Sequence, residues 1–315
     1  MPRRLKIGLF VLAGLLVICA GGIFAQGWRA ASEQMYGPAS HYPWTIADYP
    51  ALERVESPFK VHSSTGVTLV GRFFPGRDDA TIVLSHGYGG DQDELLPLAN
   101  TLHAAGFTVV TYNERGRDGS GGTATKGPLE AKDLRSVIDT VARHAHVNRN
   151  EIGAFGFSLG ADITILEAAD DSRVKAVVVD GSAPYLTAYA QARLSDIVLH
   201  PTALWTPLSI WLLELRTGAD LAQNRAAAVV ARISPRPILF IQGLADTEVK
   251  PWETIDTFDH ARPPRELWLV KGEGHEATVA PGGAASTLRV AAFFARALLP
   301  ARDRAPSGRR SHLAS

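Results

Sequence analysis

Cysteine is almost absent: the single Cys19 excludes an intramolecular disulfide framework and a zinc site built from several thiolates. A surplus of charge of either sign is absent too. The 32 Lys and Arg match the 32 Asp and Glu, so the chain lacks the positive field that draws nucleic acid, and nucleic acid is set aside as a partner. No internal repeat or low-complexity tract is present, which excludes a solenoid or fibrous design. No G-x-G-x-x-G opens a first βα turn, and neither a phosphate loop nor a His-x-x-Glu-His type of zinc motif appears. The sequence therefore calls for no cofactor and no metal. Glu273, His275 and Glu276 form the one cluster to weigh as metal ligands should a different role for His275 fail.

The N-terminus holds the longest apolar run. Residues 7–25, IGLFVLAGLLVICAGGIFA, carry no charge and follow Arg3, Arg4 and Lys6. As a helix the run spans about 28 Å at about 1.5 Å per residue, close to the hydrocarbon thickness of a bilayer. Basic residues on the short side favour keeping that end in the cytoplasm and the rest of the chain outside it. Two readings share the stretch: an uncleaved anchor, or a signal peptide cut near Ala20-Gly21-Gly22. A lipid-anchor signal at Cys19 is disfavoured by Ile18, where such signals carry a small residue.

Residues 26–57 contain several aromatics and prolines with no sustained period, and read as an irregular extracytoplasmic tether packed partly on the domain. Then FKVHSSTGVTLVGRFFPG reads as a hairpin about the turn at 63–66. From residue 81 short runs rich in β-branched and aromatic residues alternate with helical patterns: 81–86, 108–113, 152–157, 174–180, 237–243 and 266–272. Such unbroken apolar strands are buried on both faces of a parallel sheet. The clearest helix places Leu134, Val137, Ile138 and Val141 at i, i+3, i+4 and i+7 after Pro128. The expected fold is α/β, a mostly parallel central sheet flanked by helices over residues 58–300. Between the strand at 174–180 and the next lies far more chain than one crossover helix needs. The apolar stretch SDIVLHPTALWTPLSIWLLELRTG, broken by Pro201 and Pro207, reads as a helical cap within an insertion at about 184–232. Residues 301–315 are polar, Arg-rich and expected to be disordered.

The candidate chemistry centres on GFSLGA, residues 156–161. A G-x-S-x-G pattern alone is weak, but here a strand ends at Phe157 and a good helix begins directly after Ser158. That is the setting in which a tight turn exposes a serine hydroxyl above a helix N-terminus. A serine needs a base, and the base needs an anion to orient it. In a strand-turn-helix site of this kind the partners follow in the order Ser, acid, His. Asp246 in GLADTEV follows one strand and His275 in GEGH follows the next, so both emerge at the carboxyl edge where Ser158 lies. Asp180, at the end of the strand after the serine, is the rival acid. His260 precedes its strand and leaves the opposite edge, and His312 is in the tail.

The motifs SHGYGG, NERGRDGSGG, GFSLGA, GLADTEV and GEGH, in that order, resemble those of the α/β-hydrolase superfamily over about residues 58–299, in its serine-hydrolase branch of esterases, lipases and acyl-peptidase-like enzymes. The resemblance implies Ser158 as nucleophile, Asp246 as triad acid and His275 as general base. It also implies an oxyanion hole formed by the backbone N–H groups of Leu159 and of Tyr88, with no cofactor. Asn113 and Arg117 depart from the commoner family form, which has Asp and His there. The expected activity is hydrolysis of a carboxylic ester through an acyl-enzyme, with thioesterase and acyl-peptidase as alternatives using the same groups, and a non-catalytic binding module as the alternative of another class. The expected substrate is a small-molecule acyl ester. Trp205 and Trp211 of the apolar cap are the candidate acyl-binding side chains, against the plainer reading that they are packing residues.

Overall fold

A computed structural model describes residues 3–36, 42–186, 206–275, 278–279 and 284–299. Eight strands form one sheet: β1 (Ser57–His62), β2 (Thr68–Phe74), β3 (Thr81–Ser85), β4 (Thr108–Tyr112), β5 (Ile152–Phe157), β6 (Val174–Asp180), β7 (Ile238–Gly243) and β8 (Arg265–Val270). Their spatial order is β1-β2-β4-β3-β5-β6-β7-β8. β1 and β2 are the expected hairpin, with Val61 opposite Leu69 and Gly66 at φ 85 in the turn. β2 meets β4 antiparallel, and every pairing from β4 to β8 is parallel. The parallel strands β3 to β7 are the apolar runs of the sequence, because helices cover both faces of the sheet there.

The period of two along each strand sorts side chains between two cores. Val83, Val177 and Val179 face the core shared with α4 (Pro128–Val141) and α5 (Leu159–Asp170). Ile82, Leu84 and Val178 face the core built with α3 (Leu96–Ala104) and α9 (Ala284–Leu298). Leu134, Val137, Ile138 and Val141 of α4 are each no more than 1% exposed. Burying each such side chain contributes roughly 1.5–3 kcal/mol, so one charge at Val137 would break that face. One-turn helices α2 (Pro50–Glu53) and α7 (Ala226–Val229) and the longer α8 (Pro251–His260) complete the flanks with α6 (Thr206–Thr217) of the cap insertion.

The N-terminal segment differs from the expectation of a helix ending near residue 25 followed by irregular chain. Helix α1 runs unbroken over Arg3–Tyr36. Residues 26–36 contain no proline, and Gly27, Ala31 and Met35 form an i, i+4, i+8 stripe buried against Leu208, Leu212 and Leu213 of α6. A Cβ on Gly27 would lie 2.7 Å from Leu208 Cδ2, so a larger residue there would push the Leu208 side chain aside. Arg216 fastens the pair, donating to Ser32 Oγ at 2.7 Å and lying 4.3 Å from the centre of the Trp28 ring. Earlier in α1, Phe10, Leu12, Leu15, Leu16, Val17 and Ile18 are all exposed. The helix is long and apolar enough to cross a membrane. Pro207 does not break the cap helix but occupies the first turn of α6, where its missing N–H has no intrahelical partner to lose.

Candidate active site

Ser158 stands between β5 and α5 at φ 53, a left-handed conformation rare for a residue with a side chain. Two contacts hold it there. Its N–H donates to the Asp180 carbonyl of β6 at 2.8 Å, and the flanking glycines let strand, turn and helix close on one another. A Cβ on Gly156 would lie 2.1 Å from the Gly160 oxygen, and one on Gly160 would lie 2.4 Å from the Ser85 oxygen. The tight turn lifts the hydroxyl clear of the backbone at the positive end of α5.

His275, on the loop after β8, reaches Ser158 Oγ from Nε2 at 2.9 Å and Asp246 Oδ2 from Nδ1 at 2.7 Å. The acid is fixed before it meets the histidine. Asp246 Oδ1 accepts the backbone N–H groups of Glu248 and Val249, and Oδ2 accepts Gln242 Nε2–H. Burial alone would raise the Asp246 pKa, but the His275 bond and these donors outweigh it, and the net shift is downward. An ionised Asp246 accepts a hydrogen bond from Nδ1–H, which keeps the proton on Nδ1 and leaves the Nε2 lone pair facing the serine. Burial lowers the His275 pKa, while the bond to Asp246 and the charges of Asp246, Glu248 and Asp180 raise it; the net shift is upward.

The rival acid is differently employed. Asp180 Oδ2 accepts from Thr278 Oγ1 at 2.6 Å and Thr278 N at 3.1 Å, and burial pushes its pKa up to about 7. It secures the chain that follows His275 rather than the imidazole itself. His260 lies half-exposed on α8, its Nδ1 on the Asp256 carbonyl. His312 and Glu276 lie outside the described residues, among which no group of three His, Cys, Asp or Glu is placed to hold a metal.

Residues 87–90 form a tight turn closed by Gly90 N–H on the Gly87 carbonyl at 3.1 Å, with Gly89 at φ 86 as a turn of type II demands at its third position. The turn is held from beneath by a neutral His86, whose pKa burial pushes down to about 4. Its Nε2 accepts the Glu114 N–H, so Nδ1 carries the proton and donates to the Gly87 carbonyl at 2.8 Å. Tyr88 and Leu159, the first residue of α5, whose N–H has no intrahelical carbonyl to meet, both line the cavity above Ser158.

With this geometry stand a family match and three likenesses to known proteins. Residues 39–203, just over half of the chain, match the sequence profile of the X-Pro dipeptidyl-peptidase (S15) family. The chain belongs to this family of α/β-hydrolases. It is 28% identical over 285 residues to the uncharacterized protein YfhR of Escherichia coli K12, with 87% of each chain covered. The Pyrococcus furiosus esterase Pf2001 shares the fold at a TM-score of 0.67 and 22% identity, over 84% of this chain and 98% of that one. A bacterial membrane phospholipase A shares it at a TM-score of 0.61 and 15% identity, over 95% of this chain and 100% of that one.

The cavity above Ser158 in this α/β-hydrolase holds about 590 Å³, and its walls depart from the expected cap tryptophans. Trp211 is 54% exposed and absent from the lining, because α6 turns Leu212 and Leu213 toward α1 and leaves Trp211 and Leu215 outside. Trp205 lies outside the described residues. Apolar surface comes instead from Trp44, Phe157, Leu159, Leu186 and Val249, with Tyr42 and Tyr88 beside them. Polar groups intrude: Glu94, Lys126, Asp162 and Glu248 also line the space, and burial raises the Asp162 pKa well above the carboxylate range. Tyr42 and Trp44 belong to the segment read above as a tether packed partly on the domain, and nothing in that reading placed them at the site. Glu94 had no signal, since DQDELL carries nothing that distinguishes a buried acid from a solvated one.

Proposed function

We propose that the protein is a membrane-anchored serine hydrolase that cleaves carboxylic esters at Ser158. The Ser158–His275–Asp246 relay, at 2.9 and 2.7 Å, carries the reading. Ser158 Oγ attacks the ester carbonyl as His275 Nε2 takes its proton, and the Tyr88 and Leu159 N–H groups stabilise the oxyanion. The tetrahedral adduct collapses to an acyl-enzyme as the protonated His275 gives its proton to the departing alkoxide. Water then attacks with His275 again as base, and Ser158 is released with the free acid. Asp246 stays ionised throughout and stabilises the imidazolium. Apolar wall on one side of the cavity favours a small or medium acyl group.

A second reading is favoured by the S15 match and by the exposed Glu248 carboxylate beside the nucleophile: an acyl-peptidase, for which a peptide amine would be the partner of that acid. Parallel assays on p-nitrophenyl esters and on X-Pro p-nitroanilides separate the two. The exposed apolar face of α1 behind Arg3, Arg4 and Lys6 supports an anchor with the catalytic domain outside the cytoplasm. One experiment tests chemistry and location together. A membrane-impermeant fluorophosphonate, added to cells whose outer barrier has been opened, should label the protein, and the label should stay with membranes after carbonate washing. The Ser158→Ala protein should take no label and lose ester hydrolysis by at least about 10³-fold. Equal labelling of that variant removes Ser158 from the mechanism; a labelled soluble form lacking about 22–25 residues replaces the anchor by a signal peptide.

A further inference from the structure

The arm that leads from the membrane helix into the domain touches the site at the turn carrying Tyr88. Gly87 is the pivot of that turn, so close to the nucleophile that a Cβ there would lie 3.3 Å from Ser158 Cβ. Its N–H donates to Glu94 Oε2 at 2.7 Å. Glu94 is buried, and its other oxygen, Oε1, accepts the Tyr42 hydroxyl at 2.5 Å. Gly90 makes room for this contact: a Cβ on it would lie 2.6 Å from Glu94 Oε2 and 2.8 Å from the Tyr42 hydroxyl oxygen. Two residues on, Trp44 Nε1 donates to the Asp93 carbonyl at 2.7 Å, fastening the arm to the short turn that bears Glu94. From the other side the Tyr88 hydroxyl donates to the Glu33 carbonyl of α1 at 3.2 Å.

We infer that Tyr42 and Glu94 are positioning residues: the N-terminal arm sets the place of the oxyanion loop through the chain Tyr42–Glu94–Gly87, so the arm that follows the membrane segment is part of the catalytic apparatus. The inference rests on the serine-hydrolase reading above. Tyr42 acts one hydrogen bond removed from the loop, and an oxyanion donor displaced by a fraction of an ångström loses much of its effect on the transition state while leaving ground-state binding intact. The loss should therefore fall on kcat. Tyr42→Phe keeps the ring that walls the cavity and deletes only the hydroxyl. Glu94→Gln keeps the shape but offers one oxygen in place of two: with that oxygen on the Gly87 N–H, its N–H₂ faces the Tyr42 hydroxyl, which must reverse from donor to acceptor, and a neutral amide oxygen is a weaker partner for the Gly87 N–H than a carboxylate.

The test uses the full-length protein in detergent micelles. Active sites are titrated to completion with a fluorophosphonate, and kcat is expressed per titrated site so that misfolded protein does not count. With p-nitrophenyl butyrate, Tyr42→Phe should lower kcat about tenfold with KM within about twofold of wild type, and Glu94→Gln should lower it at least as much. Because both act through the Gly87 N–H, the double variant should be no slower than Glu94→Gln alone. The kcat and KM of Tyr42→Phe decide the matter even if Glu94→Gln fails to fold. A raised KM with unchanged kcat makes Tyr42 a wall and overturns the inference, as do additive losses in the double variant. A wild type without a titratable serine overturns the hydrolase reading and this inference together, whereas an active wild type matched in kcat by Tyr42→Phe overturns this inference alone.

Discussion

The two sides of the cavity were specified by different kinds of information. On one side Ser158, Asp246 and His275 each follow a strand of one parallel sheet, at the same edge, within a few residues of the strand end. On the other, Tyr42 and Trp44 arrive from a segment far earlier in the chain, Tyr42 meeting Glu94 across 52 residues and Trp44 the Asp93 carbonyl across 49. A strand end is a local property, and a parallel sheet aligns its strand ends without further instruction. A wall made of distant segments depends on which surfaces happen to meet. The Ser158–His275–Asp246 array is accordingly fixed by the fold, and the facing wall by how the N-terminal arm settles on it.

The largest test of this contrast compares two buried acids at the ordered side. In Asp246→Asn the single amide oxygen can face either the Glu248 and Val249 N–H groups or His275, and the N–H₂ must face the other. An N–H₂ facing the imidazole forces the proton onto Nε2, where it points at Ser158 and cannot accept its hydrogen. The opposite flip sets N–H₂ against two backbone donors. Either way kcat/KM for an ester should fall by about 10³-fold or more. Asp180→Asn keeps an oxygen for both Thr278 donors, and a carboxyl with a pKa of about 7 is already half neutral at neutral pH. Its loss should stay within about tenfold. Kinetics of the two variants side by side settle the acid; a greater loss in Asp180→Asn would reverse the assignment.

The same contrast explains what the sequence told and what it withheld. The strands, the opening hairpin and the α4 stripe of Leu134, Val137, Ile138 and Val141 were legible, because periods of two and of 3.6 record burial directly. Apolar character says that a residue seeks cover but not which cover. Trp211 looked like pocket lining, yet α6 spends Leu212 and Leu213 on α1 and turns Trp211 outward. Residues 26–36 looked irregular because small and polar residues dilute their hydrophobicity. What marks them as helix is the stripe of Gly27, Ala31 and Met35, which has meaning only once α6 lies beside it. Glu94 had the least signal of all, since a buried acid is defined by donors that sit elsewhere in the chain.

The middle-sized effect should come from the walls. Trp44 lies at the edge of the cavity and is 9% exposed, whereas Trp211 is 54% exposed and faces away. Trp44→Ala should raise KM for a medium-chain p-nitrophenyl ester about tenfold more than for the acetate, because each methylene stripped of apolar contact costs roughly 0.8 kcal/mol and the acetate has almost none to lose. Trp211→Ala should affect both esters alike and slightly. A chain-length effect confined to Trp211 would return the acyl pocket to the cap.

The smallest effect concerns Glu248, whose carboxylate stands 4.0 Å from His275 Nε2 while remaining 67% exposed. Its charge is among the causes that hold the His275 pKa above its ordinary 6.5, after burial, which lowers it, and Asp246, which contributes more to raising it. The base must be neutral to take the Ser158 proton, so kcat/KM should climb with pH through a midpoint above 6.5 and level off above it. Glu248→Gln removes a charge that stabilises the imidazolium. The His275 pKa then falls, the acid limb of the profile moves to lower pH, and at pH 6 the variant should be faster than wild type. Water around an exposed carboxylate screens most of its field, so the gain at pH 6 should be about twofold and should vanish on the plateau. Raising the salt concentration should shrink the gap between the two profiles, since screening weakens the Glu248 contribution in the wild type alone. A shift in the opposite direction, or a plateau lowered without any shift, would mean that Glu248 acts on the substrate rather than on the base.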